Sequence, residues 1–216
     1  MLRIALVDLG MGNLLSVERA LARAATDADV ACVVERTGDP EVVRRADKIV
    51  VPGQGAFRDC AAALASPRGL GEALREGIGA GRPYLGICLG LQALFDESEE
   101  APGAAGLGVF RGKVKRLAPG VGVKIPHMGW NRVRLQRAGA GPLGVFDGEE
   151  PHFYFVHSFH AVPDDDALIA AVTEHGPHRI TAAVQRDGVT ATQFHPEKSQ
   201  QAGLRLLAAF LAERRH

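Results

Sequence analysis

Tyr84-Leu-Gly-Ile-Cys88-Leu-Gly-Leu-Gln92-Ala-Leu-Phe95 changes its period halfway. Tyr84–Ile87 reads as a short strand and Leu89–Phe95 as a helix, so the chain turns from one to the other at Cys88. At such a turn the backbone crowds the positions two before and two after, and glycine stands at both, Gly86 and Gly90. The turn also places the Cys88 sulfur beside a helix N-terminus, whose partial positive charge favours a thiolate. The same residues fit a small buried cysteine at a glycine-rich turn of a parallel sheet.

Towards the N-terminus the pattern repeats. Ile4–Val7 is continuously apolar, and Leu14, Val17, Leu21 and Ala24 follow at helical spacing. Val30–Val34 and Ile49–Val51 are further β-branched runs, and Ser66-Pro67 predicts the cap and first position of a helix running to about Ala80. Strands with unbroken hydrophobicity, alternating with helices, predict a parallel sheet covered on both faces. After Glu97 the texture changes. Ser98–Gly108 reads as a loop, followed by short strand-like runs at Val109–Leu117, Asn131–Leu135, Phe153–Val156, Leu168–Val172, Ile180–Gln185 and Val189–Phe194. Asp187-Gly188 marks a turn between the last two. Ser199 is placed to cap a closing helix with Leu204, Leu207, Ala208 and Leu211 on one face. The expected fold is α/β: a central, mostly parallel sheet flanked by helices, with an additional β-rich section in the second half.

At ~150 residues per domain, 216 residues predict a single domain over residues 1–216. Lys plus Arg and Asp plus Glu number 25 each, so no electrostatic footprint for nucleic acid or an anionic membrane is expected. Cys32, Cys60 and Cys88 fit no metal spacing and read as reduced thiols. With no signal-peptide pattern and no apolar run near ~20 residues, a cytoplasmic protein is expected. Gly139-Ala-Gly-Pro-Leu-Gly144 has the glycine spacing of a dinucleotide fingerprint, but Pro142 interrupts it and no helix pattern follows, so it reads as a flexible loop.

A nucleophilic thiol needs a base, and the base an orienting group. Gln193-Phe-His195-Pro-Glu197 offers both. On an extended segment positions two apart face the same way, and Pro196 is expected to hold the segment extended, so Glu197 can reach the His195 ring. A surface strand end with a solvated His and Glu is the plain alternative. An acyl-transfer site also needs oxyanion donors. The loop Pro52-Gly53-Gln54-Gly55 follows the Ile49–Val51 strand and opens on the same sheet edge as Cys88, with the Leu89 amide as a second donor. Gln92 lies one helical turn after Cys88. Cys32 and Cys60 lack such surroundings, Asp164-Asp165-Asp166 reads as an exposed turn, and His157 and His160 have no evident metal partner.

Together these pieces resemble the class I glutamine amidotransferases. The likeness rests on Asp8-Leu-Gly-Met-Gly-Asn13, Pro52-Gly-Gln-Gly-Ala56, Gly86-Ile-Cys-Leu-Gly-Leu-Gln92, Pro126-His-Met-Gly-Trp-Asn131, Phe153-Tyr-Phe-Val-His-Ser158 and Gln193-Phe-His-Pro-Glu-Lys-Ser199, and covers nearly the whole chain. Within the class, Pro126–Asn131 points to the stand-alone glutaminases of histidine biosynthesis. The resemblance implies that Cys88 attacks the side-chain amide of glutamine, that His195 moves the proton, and that Glu197 orients His195. It implies glutamine binding by Gly53, Gly55, Leu89, Gln92, Ser158 and Phe159, and no cofactor. It further implies a heterodimer with a (β/α)₈-barrel cyclase that takes up the ammonia, with His127, Trp130, Asn131, Tyr154 and Lys198 as interface residues. Two positions depart from the family: Phe159 replaces the usual tyrosine, and Gln54 stands where a small apolar residue is frequent. The readings that compete are a glutaminase subunit for pyridoxal phosphate or anthranilate synthesis, another cysteine hydrolase, and a non-catalytic binding module on the same fold.

Overall fold

The computed structural model describes residues 1–120, 123–136 and 141–213. The first half runs β1 (Leu2–Val7), α1 (Leu14–Asp27), β2 (Cys32–Thr37), α2 (Pro40–Arg45), β3 (Lys48–Gly53), α3 (Phe57–Leu64), α4 (Leu70–Gly79), β4 (Tyr84–Cys88) and α5 (Leu89–Gln92). The second half runs β5 (Glu97–Ser98), β6 (Gly112–Arg116), β7 (His127–Arg132), β8 (Arg134–Leu135), β9 (His152–His157), β10 (Phe159–Pro163), β11 (Ile169–His175), β12 (His178–Arg186), β13 (Val189–Thr192) and α6 (Gln200–Ala212).

The main sheet has the order β2-β1-β3-β4-β13-β12-β11-β8. Strands β2 to β13 in that order are parallel, and β12, β11 and β8 continue it antiparallel. Two smaller sheets, β10-β6-β5 and β7-β9, supply the β-rich section. The unbroken apolar runs have a direct cause: each inner strand is buried on both faces. Ile4 and Leu6 of β1 pack with α1 and α6, while Ala5 and Val7 pack with α2, α3 and α4. Asp187 and Gly188, both with positive φ, close the β12–β13 turn as their residue types demand.

Several local expectations are corrected. Ser66-Pro67 does not open a helix. It lies in the turn after α3, Ser66 O accepts from Gly69 N at 3.0 Å, and α4 starts at Leu70 behind Gly69 in the left-handed region. β2 begins at Cys32, two residues later than the Val30–Val34 run, and as an edge strand it alternates in burial. The helix after Cys88 is one turn long. Beyond it the carbonyls of Ala93 and Leu94 accept from Leu107 N (2.7 Å) and Val109 N (2.9 Å), so they are committed to a neighbouring segment instead of a longer helix. Strand β10 lies where no strand is expected, paired with β6. In α6 the buried face is Gly203, Leu206, Leu207, Phe210 and Leu211; Leu204 and Ala208 are only half-buried. Gly139 and Ala140 of the expected flexible loop lie outside the described residues, and Gly141–Phe146 forms a short 3₁₀ helix against α6. No helix among the described residues is long and apolar enough to cross a membrane.

Candidate active site

Parallel pairing of β3, β4 and β13 brings three strand ends to one edge. Gly53 is in register with Cys88, and the segment after β13 carries His195 to the same place. Cys88 sits at φ 54°, ψ −102°, a conformation that non-glycine residues adopt at a cost of about 1–3 kcal/mol and keep only where the surroundings impose it. Here the flanking glycines allow it. A Cβ on Gly86 would lie 2.6 Å from the Gly90 carbonyl oxygen, and one on Gly90 would lie 1.8 Å from the Val51 carbonyl oxygen. β3, β4 and α5 therefore approach as closely as backbone can, and the thiol is pushed out at the apex. With only one turn behind it, α5 offers amide donors and little macrodipole.

His195 is buried, and its main chain is pinned: its N–H donates to Tyr154 O at 2.9 Å and its carbonyl accepts from Ser199 Oγ at 2.6 Å. Its Nδ1 lies 2.9 Å from Glu197 Oε1, both side chains being only 2% exposed. Contrary to expectation the segment is not extended beyond His195. Pro196–Lys198 form a 3₁₀ turn, for which the fixed φ of proline is suited, and this turn folds Glu197 back onto the ring. The buried His195 Nε2 has no conventional hydrogen-bond partner. Burial pulls the imidazole down, but a hydrogen bond to, and the negative charge of, the Cys88 sulfur as thiolate, together with the Glu197 carboxylate, outweigh it and raise the ring to about 9. Cys60, by contrast, is pushed up to about 12 by burial alone, and Cys32 is raised by the same cause.

Cys88 opens into a cavity of about 500 Å³, within the size range of small-molecule sites. Gln54, Gly55, Leu89, Gln92, Ser158 and Phe159 line it, so all the expected glutamine-binding residues except Gly53 face this space. Gly53 instead packs directly under Leu89. Gln92 Nε2 donates to Phe159 O (3.0 Å) and to Gln193 Oε1 (3.2 Å). Residue 159 thus contacts Gln92 through its carbonyl, a contact in which a phenolic hydroxyl takes no part. Two residues were missed in the sequence. Gln193, fully buried, donates from Nε2 to Cys88 Sγ at 3.5 Å. Glu100, hidden in what reads as an acidic loop, lines the cavity while its Oε2 accepts from Phe57 N at 3.0 Å. Only the first had a signal, its place two residues before His195.

The expected interface residues separate into two groups. Trp130 is 48% exposed and meets Tyr154 edge-on across the β7–β9 pair, and Lys198 Nζ lies 5.8 Å from the Tyr154 ring centroid. Tyr154, Lys198 and Pro126 also rim the cavity. His127 is not a surface residue: it is 3% exposed, stacked between Phe155 and His175 and bonded to His157 and Asn131. β7 alternates, and position 127 points inward where 128 and 130 point out. Among the described residues no cluster of His, Cys, Asp or Glu has the arrangement of a metal site.

A thiol at a strained strand-to-helix apex, beside an imidazole held by a carboxylate, is equipment for acyl transfer. The chain belongs to the class-I glutamine amidotransferase family, whose family model matches residues 6–213. Among its relatives, it is similar to imidazole glycerol phosphate synthase subunit HisH of Methylococcus capsulatus, with 50% identity over 96% of this chain and 95% of that protein. The subunit of the same name from Syntrophotalea carbinolica is 47% identical over 96% of this chain and 98% of its own length. A solved glutamine amidotransferase structure superposes with a TM-score of 0.71 at 19% identity, covering 97% of this chain and 99% of that one, which shows the shared fold.

Proposed function

We propose that this chain is the cytoplasmic glutaminase subunit of imidazole glycerol phosphate synthase in histidine biosynthesis, a single domain that works as a heterodimer with a (β/α)₈-barrel cyclase. The observation that carries the chemistry is the meeting of Cys88 with the His195–Glu197 pair at the end of β4. Cys88 gives its thiol proton to His195 as the sulfur attacks the carboxamide carbon of glutamine, and amides of Leu89 and the Gly53–Gly55 loop receive the developing oxyanion. The C–N bond then breaks, the nitrogen takes a proton from the His195 imidazolium, and ammonia leaves a γ-glutamyl thioester. Water, deprotonated by His195, cleaves the thioester to glutamate and restores the thiol. Glu197 holds the ring and its charge throughout. Glu100 and Lys198, of opposite charge on the cavity wall, suit the α-ammonium and α-carboxylate of an amino acid.

Ammonia released into water near neutral pH becomes mostly ammonium, which is no nucleophile, so it must pass directly to a partner. The partner then incorporates it to give imidazole glycerol phosphate and AICAR. Tyr154 and Lys198 at the cavity rim and exposed Trp130 beside Tyr154 form the docking surface, while Asn131 is turned to His127 and the Glu174 carbonyl and stands behind it. Cys88→Ala keeps the Cβ and the backbone strain but removes the sulfur. In the complex with the cyclase it should abolish glutamine-supported synthesis and leave ammonium-supported synthesis largely intact; loss of both would make Cys88 a structural residue.

A further inference from the structure

Hydrogen bonds form an unbroken series from β7 to the nucleophile, through side chains and the main-chain carbonyl of Phe159. At its inner end the Phe159 carbonyl accepts from His157 Nδ1 (2.9 Å) and from Gln92 Nε2, and Gln92 leads through Gln193 to Cys88 Sγ. At its outer end Asn131 Nδ2 donates to Glu174 O at 2.7 Å. Between them His157 Nε2 lies 2.9 Å from His127 Nδ1, and His127 Nε2 lies 3.0 Å from Asn131 Nδ2.

The carbonyls fix every proton. Phe159 O can only accept, so His157 carries its proton on Nδ1 and, being neutral, accepts at Nε2. His127 must then donate from Nδ1 and accept at Nε2, and Asn131 supplies that donor because its amide nitrogen is already directed to the Glu174 carbonyl. A second proton on either ring would set two N–H groups against each other at 2.9–3.0 Å. Burial, reinforced by the neighbouring imidazoles, agrees with this, holding His127 down to about 4 and His157 to about 3.

We propose that His127 is a positioning residue for the glutamine cavity: by donating from Nδ1 to His157 it fixes the His157–Phe159 wall against the strand that carries exposed Met128 and Trp130. The inference rests on the glutaminase reading above. It assigns to His127 a hydrogen-bonding task in place of surface contact, and distinguishes that task from packing.

The test compares three variants in the complex with the cyclase. Asn places an amide N–H where the Nδ1–H of histidine stood; Leu has nearly the shape of Asn without a donor; Phe keeps the stacking on Phe155 and His175 without a donor. His127→Asn should keep the KM for glutamine within about threefold of wild type. His127→Phe and His127→Leu, which leave His157 Nε2 unpaired, should raise it about tenfold or more, with kcat changed less and ammonium-supported synthesis unaltered. If Phe fails to fold, the Asn and Leu pair decides. Phe performing as well as wild type, or Asn as badly as Leu, overturns the proposal in favour of packing. A wild-type complex that fails to hydrolyse glutamine would instead overturn the glutaminase reading.

Discussion

Removing the Glu197 charge is the sharpest test of how the site is powered. Glu197→Gln preserves shape and an oxygen acceptor for His195 Nδ1. At 2.9 Å, with both groups almost fully buried, the raw Coulombic attraction is about 6 kcal/mol at an effective dielectric of 20. Desolvation offsets part of that, and an opposite charge in contact typically moves a pKa by about 1–3 units. The ring, raised to about 9 in the native protein, should therefore fall to roughly 6–8. The imidazolium proposed to protonate the leaving nitrogen loses the same stabilisation, about 1.4–4 kcal/mol, so kcat for glutamine should drop by about 10- to 1000-fold. Linkage gives an independent readout. Because the folded pKa lies above the unfolded value near 6.5, the stabilisation is complete below ~6.5 and is lost as pH rises through about 9. Wild-type protein should lose stability across that window, and the variant should lose much less. The assay is glutamine turnover by the complex against pH, with thermal melts on the same samples and ammonium-supported synthesis as control. Turnover within threefold of wild type, or a large loss with the histidine titration still near 9, would refute this account.

Gly90→Ala should unfold or strongly destabilise the protein, since its Cβ would stand 1.8 Å from Val51 O, whereas Gly79→Ala, with nothing within 4 Å, should be neutral or gain up to about 1 kcal/mol; comparing their melting temperatures checks both. Acid should weaken the fold through its buried neutral imidazoles: burial, and then the charges of neighbouring rings, hold His127 and His160 near 4 and His157 near 3. Since these values lie below the unfolded ~6.5, the stabilisation is present above that pH and is lost progressively as pH falls from there through 4 and 3; His157 alone accounts for about 2 kcal/mol between pH 7 and 5. Urea unfolding midpoints at pH 7 and 5 measure it, and an unchanged midpoint contradicts the buried neutral rings.

What the sequence disclosed of the fold follows the physics of burial. Ile4–Val7, Ile49–Val51 and Tyr84–Ile87 are legible because strands buried on both faces leave no polar position to break the run. The misread boundaries involve partners that are distant in sequence. Ser66-Pro67 is equally good chemistry for starting a helix or for leaving one, and only Gly69 and the packing of α4 decide between them. α5 stops at Gln92 because Leu107 and Val109 claim the next carbonyls, and those residues lie beyond a loop whose path local periodicity does not record.

The site divides along the same line. Cys88, His195 and Glu197 are legible from their immediate neighbours, glycines two residues away at the turn and a carboxylate two residues after the imidazole, although Pro196 brings Glu197 to the ring through a 3₁₀ turn and not along an extended segment. The cavity wall imposes none. Phe159 contributes a carbonyl, which any residue supplies, and so its side chain is free to lose a hydroxyl without altering the contact Gln92 uses. Glu100 enters the cavity because its own loop caps α3, a contact spanning two elements. His127 reads as a surface residue because its strand alternates next to a tryptophan that is exposed; its burial is created by His157, Phe155 and His175 from β9 and β11. The proposed nucleophile is thus marked by local strain and its proposed base by the carboxylate next to it, whereas the groups proposed to hold them in place are marked only by what they touch after folding. A polar side chain buried at the back of this cavity with every hydrogen bond directed is therefore better evidence of a positioning role than its spacing along the chain.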